Sequence, residues 1–377
     1  MRHPTPPSIL ANPDQRLRGI ERARRAVLQE HRTLPPSMIE PWLQRSWQRC
    51  MSLGLEPQHQ VHIDLVSAPV MRRVHDANKH LVQVAKPILD TLARAIANTK
   101  YFAILTNADG VVIDVNGPID RSDPRVDAIA RIGVDLSERS VGTTAIGAAL
   151  TELEPVWLHR GEHFFSGTAH YSCAGAPVLG PDGACVGMLD LTGVDAVERP
   201  ELKHMAAQFA SKICNALVLS QSHRMLLRMN WPGNALGSDA DGMICLDADG
   251  YITGANRIAR QLLPELAVQD PYALHVSDVF GVSHQILFDD IRRPDRTMEL
   301  PLWSGLTVQV RPTERSLEPL APPASRRQRA FDKLPLKEIE IGLIRKAVER
   351  ARGNVAAAAR TLGISRATVY RKLGKPK

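Results

Sequence analysis

The sequence predicts an α+β multidomain chain closed by an all-helical segment. Three observations predict it. At 377 residues the chain exceeds one ordinary domain. Two blocks alternate strand–turn–strand signals with helical periodicity, around Asn107-Ala108-Asp109-Gly110 and Ala248-Asp249-Gly250. The tail shows only three- and four-residue apolar spacing.

Met1 to Ile20 is rich in Pro, Asn and Arg and carries no secretory signal or long apolar run, so a cytoplasmic protein with no membrane contact is expected. The helical stretch that follows holds Arg22, Arg24 and Arg25, read as a solvated face or as a DNA contact. Next comes a helix with Trp42, Ser46, Trp47 and Cys50 on one side and Gly54 at its end. Its tryptophans are core or interface anchors. From Val66 to Asn98 one long helical pattern runs through Val70, Val74, Leu81, Val84, Ile88, Leu92 and Ile96, and Pro87 can kink it. It pairs with a second copy or packs on its own domain.

Lys100–Val194 mixes strands and helices. Tyr101–Thr106 and Val111–Val115 form a hairpin, Glu152–Leu158 a strand, and Asp182-Gly183 turns into Cys185–Leu191. Pro200–Gln221 is an amphipathic helix. Beyond it, strands at Gly242–Asp247 and Tyr251–Ala255, a helix opened by Asn256, and a hairpin around Ser304-Gly305 outline a second domain. Thr313–Ala330, rich in Pro, is a linker.

The terminal segment reads as three helices. Leu336, Ile339, Leu343, Ala347 and Ala351 line the first, with Pro335 at its start. Asn354 caps an alanine-rich helix, Gly363 ends it, and Ser365 caps a last helix carrying Arg366, Thr368, Tyr370, Arg371 and Lys372. This is a helix-turn-helix pattern, with a dimerising helical hairpin as the alternative. Charge favours the first. Ala324–Lys377 holds fifteen Lys/Arg against four Asp/Glu, a net +11, which leaves −4 for the rest of the +7 chain.

These residues carry a family resemblance. Leu336-Lys337-Glu338-Ile339-Glu340, Gly353-Asn354, Leu362-Gly363-Ile364-Ser365-Arg366 and Thr368–Leu373 resemble the Fis-type DNA-binding domain. Ser137-Glu138, Val141-Gly142-Thr143-Thr144-Ala145-Ile146-Gly147, Glu162-His163-Phe164, Cys173 with Pro177, and Leu189–Gly193 resemble the GAF sensor domain of acetoin catabolism regulators, in which Asn is usual where Thr144 stands. The Ser46-Trp47-Gln48-Arg49-Cys50 stretch followed by Gly54-Leu55-Glu56-Pro57 is similar to that family's N-terminal region. The second domain resembles a PAS domain without a cofactor motif. The boundaries are 1–65 for the N-terminal helices, 66–222 for the GAF-like domain and 230–312 for the PAS-like domain. A linker follows at 313–331 and the Fis-type domain at 332–377.

The resemblance implies a transcription regulator and no enzyme. Its DNA-binding residues are Asn354, Ser365, Arg366, Thr368, Tyr370, Arg371 and Lys372. An effector pocket is expected between Cys185–Leu191 and Gly161–Ala176, with Thr143, His163, His170, Cys173 and Asp190 as polar lining. Expected partners are double-stranded DNA, a small-molecule effector, a second copy and RNA polymerase. The family's ATPase has a Gly-x-x-x-x-Gly-Lys-Ser/Thr loop, and the sequence holds none. Action without an ATPase is therefore expected, or else service as a ligand-independent decoy or as a partner subunit of a full-length regulator. His163, His170 and Cys173 also have metal-ligand or thiol-nucleophile spacing should they converge. The five scattered cysteines suggest reduced thiols, and no cofactor motif is present.

Overall fold

The structure is a computed structural model that describes residues 13–268, 274–290, 297–302, 304–314 and 355. The chain divides into two units at 315/316. The Fis-type segment lies outside the described residues except for Val355, which is helical.

Three helices come first: α1 (Pro13–Arg24, continued by a π turn), α2 (Pro41–Ser52) and α3 (Ala68–Ile96). Pro41 at the first turn of α2 costs no hydrogen bond, and Gly54, at φ +77°, ends the run. Leu43, Ser46, Trp47 and Cys50 are buried at helical spacing. In α3 the buried seam is Leu81, Ala85, Leu89, Leu92 and Ile96, whereas Val70 and Val74 are half-buried. The expected stripe thus holds only in the helix's second half, where it meets the sheet.

That sheet has five antiparallel strands: β1 (Tyr101–Asn107), β2 (Val112–Asn116), β3 (Val156–His159), β4 (Tyr171–Leu179) and β5 (Cys185–Val194), in the order β2-β1-β5-β4-β3. The β1–β2 turn forms because Asn107 Oδ1 accepts from the amides of Asp109 (3.1 Å) and Val111 (2.9 Å) and Gly110 takes φ +84°. Alternation sorts the sheet's faces. Tyr101, Ala103, Leu105, Leu189 and Leu191 join α3 and α7 (Leu202–Leu219) in one core. Phe102, Ile104, Met188, Tyr171 and Cys173 face the other way, toward α4 (Pro124–Ile129), α5 (Glu138–Val141), α6 (Ala145–Glu152) and the N-terminal helices. The strand expected from Glu152 begins only at Val156, because α6 runs to Glu152 and Leu153 ends it in the left-handed region at φ +55°.

The second sheet comprises β6 (Met225–Asn230), β7 (Gly242–Leu246), β8 (Ile252–Ala255), β9 (Met298–Pro301) and β10 (Thr307–Glu314), ordered β8-β7-β6-β10-β9. Helices α8 (Arg257–Leu262), α9 (Glu265–Val268), α10 (Val276–Val279) and α11 (His284–Asp290) join it. Its middle strand, β6, begins five residues before the expected boundary at 230, and β10 runs two residues into the expected linker. Met-Leu-Leu-Arg-Met consists of good helix formers next to a helix, so local propensity hides a strand that is placed by pairing on both sides. Among the described residues no helix is long and apolar enough to cross a membrane.

Candidate functional site

A cavity of about 30 Å3 lies between the sheet and the α5–α6 roof, lined mostly by Ile104, Ile129, Leu136, Val141, Ala145 and Ile146. It has room for about one water. Its polar wall comes from β4, β5 and the loop before β4: His163, Tyr171, Cys173, Asp190 and Thr192, with Thr144 from the roof. Cys173 and Thr192 are cross-strand partners, and Asp190 lies two residues before Thr192 on the same face.

These side chains form one hydrogen-bonded file. His163 Nδ1 lies 2.9 Å from Arg160 O, so it donates, and Nε2 is left as an acceptor. Cys173 Sγ is 3.4 Å from that Nε2. Thr192 Oγ1 lies 3.4 Å from Cys173 Sγ and also bonds Asp190 Oδ2. Burial holds His163 neutral, with its pKa lowered to about 4, and pushes the Cys173 thiol well above its ordinary range. Burial also raises Asp190 to about 7. A threonine hydroxyl has one proton. The file is complete when Asp190 is protonated and donates to Thr192, Thr192 to Cys173, and Cys173 to His163. Among the described residues, none hydrogen-bonds the buried Asp190 Oδ1.

Of the five expected lining residues, the structure brings His163, Cys173 and Asp190 together. Thr143 is elsewhere. Its buried hydroxyl lies 2.7 Å from Ser46 Oγ and 3.5 Å from Cys50 Sγ, in the seat of α2. There Arg49 bonds Glu138 at 2.8 Å and Glu152 at 2.9 Å, and Ser46 also bonds Glu138. Glu138 and Thr143 of the Ser137–Gly147 motif therefore fasten α2 to the roof. Gly142, at φ +67°, lets the turn press on Phe164 and Phe165, where a Cβ would come within 3.0 Å. His170 is also outside the lining, its ring 4.1 Å from that of Tyr171. The three residues with metal spacing thus do not converge, and among the described residues no group of three His, Cys, Asp or Glu is placed to hold a metal ion. The neutral thiol next to a neutral imidazole is likewise no activated nucleophile.

Thr144, Thr168, Tyr171 and Thr192 line the cavity as well, outside the five expected residues. Strand alternation carries the signal for two of them, since Tyr171 is two residues from Cys173 and Thr192 two from Asp190. Thr144 has a second task, capping α6 through Gly147 N at 3.2 Å. Arg24, expected on a solvated face or at a DNA contact, instead turns inward: its guanidinium bonds the carbonyls of Gly161 (2.8 Å), Phe164 (2.8 Å) and His163, and lies over the Trp47 ring. Arg22 and Arg25 are exposed.

Residues 18–215, from α1 through α7, match the family described as MimR, N-terminal domain. The chain belongs to that family. Residues 335–375 match the bacterial regulatory protein, Fis family. The MimR match takes in the N-terminal helices together with the first sheet, in keeping with the polar seat that joins them. The chain is 28% identical over 259 residues to the acetoin catabolism regulatory protein of Cupriavidus necator, covering 66% of this chain and 37% of that protein. It is 25% identical over 246 residues to the acetoin dehydrogenase operon transcriptional activator AcoR of Bacillus subtilis, covering 64% and 40%. It is 31% identical over 175 residues to the propane 2-monooxygenase operon transcriptional activator MimR of Mycolicibacterium goodii, covering 46% and 28%. These relatives are transcription regulators, not enzymes, and the matches span less than half of their lengths.

Proposed function

We propose that this chain is a cytoplasmic, homodimeric, sequence-specific DNA-binding transcription regulator, controlled by a small molecule in the β4–β5 cavity and acting without its own ATPase. The Fis-family match on the basic terminal segment carries the DNA-binding part. One helix-turn-helix reads only a few base pairs, so two copies on half-sites about 34 Å apart account for specificity. RNA polymerase is the partner through which such a regulator acts.

The effector is a small uncharged hydroxy or oxo compound. An apolar wall and one unpartnered Asp190 oxygen suit a single polar group on an apolar body. A carboxylate entering beside Asp190 would meet desolvation without a cation. Because the cavity holds about one water, the α5–α6 roof must lift to admit it. The ATPase-free reading draws on what fills the interval between the family matches, a five-stranded domain that runs to Glu314.

Sheared genomic DNA captured by the full chain tests the function, with and without short alcohols and ketones. A few enriched fragments, with occupancy changed by a compound, are expected. Enrichment no better than random DNA removes the reading. Specific enrichment that no compound changes removes the effector part, and monomeric protein on the enriched fragment removes the dimer.

A further inference from the structure

We infer that the β4–β5 hairpin is the element that couples the cavity to the second domain; this rests on the reading of that cavity as an effector site. At one end the hairpin carries Cys173, Asp190 and Thr192. At the other end its turn leaves the first sheet and lodges on the second domain. Pro181 O accepts from Ala255 N at 2.9 Å, where β8 ends, and from Arg260 Nη2 at 2.8 Å, on α8. The same guanidinium bonds Leu266 O through Nη1 at 2.7 Å, tying the turn to α9.

Two glycines make the fit possible. A Cβ on Gly183 would lie 2.7 Å from Arg260 Cζ, and one on Gly254 would lie 2.9 Å from Pro181 Cβ. A side chain at 183 would displace the Arg260 guanidinium from the turn, and one at 254 would press on the Pro181 ring.

The strand between the two ends is stiff. β5 is hydrogen-bonded to β1 on one side and β4 on the other. From Asp190 to Cys185 it spans five residue steps, about 17 Å. A displacement at Asp190 is therefore carried along the ladder instead of being absorbed in a loop. The second domain is also held by α7, through Asn215 Oδ1 and Asn256 Nδ2 at 2.9 Å. Asn256 further accepts from Met243 N and Ala259 N and donates to Asp241 O. That fastening lies on the sheet face away from the cavity, so α7 serves as the pivot and the hairpin as the lever.

Coupling between sites is reciprocal, so loosening the turn must be felt at the cavity. The test is hydrogen exchange on the full chain carrying Arg260→Ala. The control is Arg257→Ala, which removes an exposed ion pair to Glu154 (3.1 Å) linking the same two domains away from the hairpin. Arg260→Ala should speed exchange at the amides of Cys173 and Thr192 about fivefold or more, the lower end of common coupling, and Arg257→Ala should not. Changes confined to Pro181–Ala184 and the second domain overturn the inference, as does an equal effect of the control. If Arg260→Ala unfolds the second domain, seen as lost protection in β6 and β7, the decision passes to Asp190→Asn. Its readout is the Ala255 amide that donates to Pro181. A rate changed about fivefold supports the lever, and an unchanged rate overturns it. Neither variant needs an effector, so a cavity that binds nothing and a hairpin that transmits nothing give different results.

Discussion

Cys173 Sγ lies 3.4 Å from His163 Nε2, and burial keeps both groups neutral. The pair resembles a thiol–imidazole couple in position but not in charge. It forms the far end of a hydrogen-bonded file that begins at Asp190.

Buried Asp190 keeps its proton up to about 7 against an ordinary 3.8, so it contributes stability at low pH that is lost as pH rises through 7. His163 has the opposite sign. Its pKa falls from 6.5 to about 4, so its contribution is present above 6.5 and lost as pH falls through 4. The two oppose each other between about pH 4 and 6.5. Asp190→Asn leaves His163 unopposed and should lose roughly 3–4 kcal/mol more than the parent between pH 7 and 4. Urea midpoints across that range check it, and parallel curves for the two proteins would count against the protonated Asp190.

Thr143 and Asp190 should separate stability from sensing. Thr143→Val strips a hydroxyl from the α2 seat and should cost about 1–3 kcal/mol in denaturant. It should leave any compound-induced thermal shift unchanged, whereas Asp190→Leu should abolish that shift. A shift lost in Thr143→Val would return Thr143 to the cavity wall.

Arg24 should matter more than its surface neighbours. Arg24→Ala leaves three loop carbonyls without their donor and should cost about 2–4 kcal/mol. Arg22→Ala should stay within about 0.5 kcal/mol. Equal midpoints for the two variants would show that α1 does not clamp the 160–164 loop.

On DNA, Arg366→Ala should cost about 1–3 kcal/mol per half-site and relax sequence preference, as for an arginine paired with guanine. Lys372→Ala should weaken all sequences alike and lower the salt slope by about one per site. Binding titrations at several salt concentrations distinguish them. An Arg366→Ala, Arg371→Ala, Lys372→Ala triple variant that binds as before would refute the assignment of the surface.

Local chemistry made much of this protein legible in its sequence. Asn107-Ala108-Asp109-Gly110 specifies its turn because a side-chain amide and a glycine with positive φ act within four residues. The α2 face of Ser46, Trp47 and Cys50, and the faces of β1 and β5, follow from fixed periods of 3.6 and 2. Tertiary structure alone decided the rest, because the partners are distant in sequence. Strand β6 exists as a strand because β7 and β10 pair with it, against its own propensity. Thr143 turns to Ser46, 97 residues away, while its neighbour Thr144 and the distant Thr192 line the cavity. Arg24 leaves the solvated stripe because it donates to the carbonyls of Gly161 and Phe164, more than a hundred residues later. Burial, which no local window reports, sets the charges of His163, Cys173 and Asp190 and so leaves the cavity wall neutral.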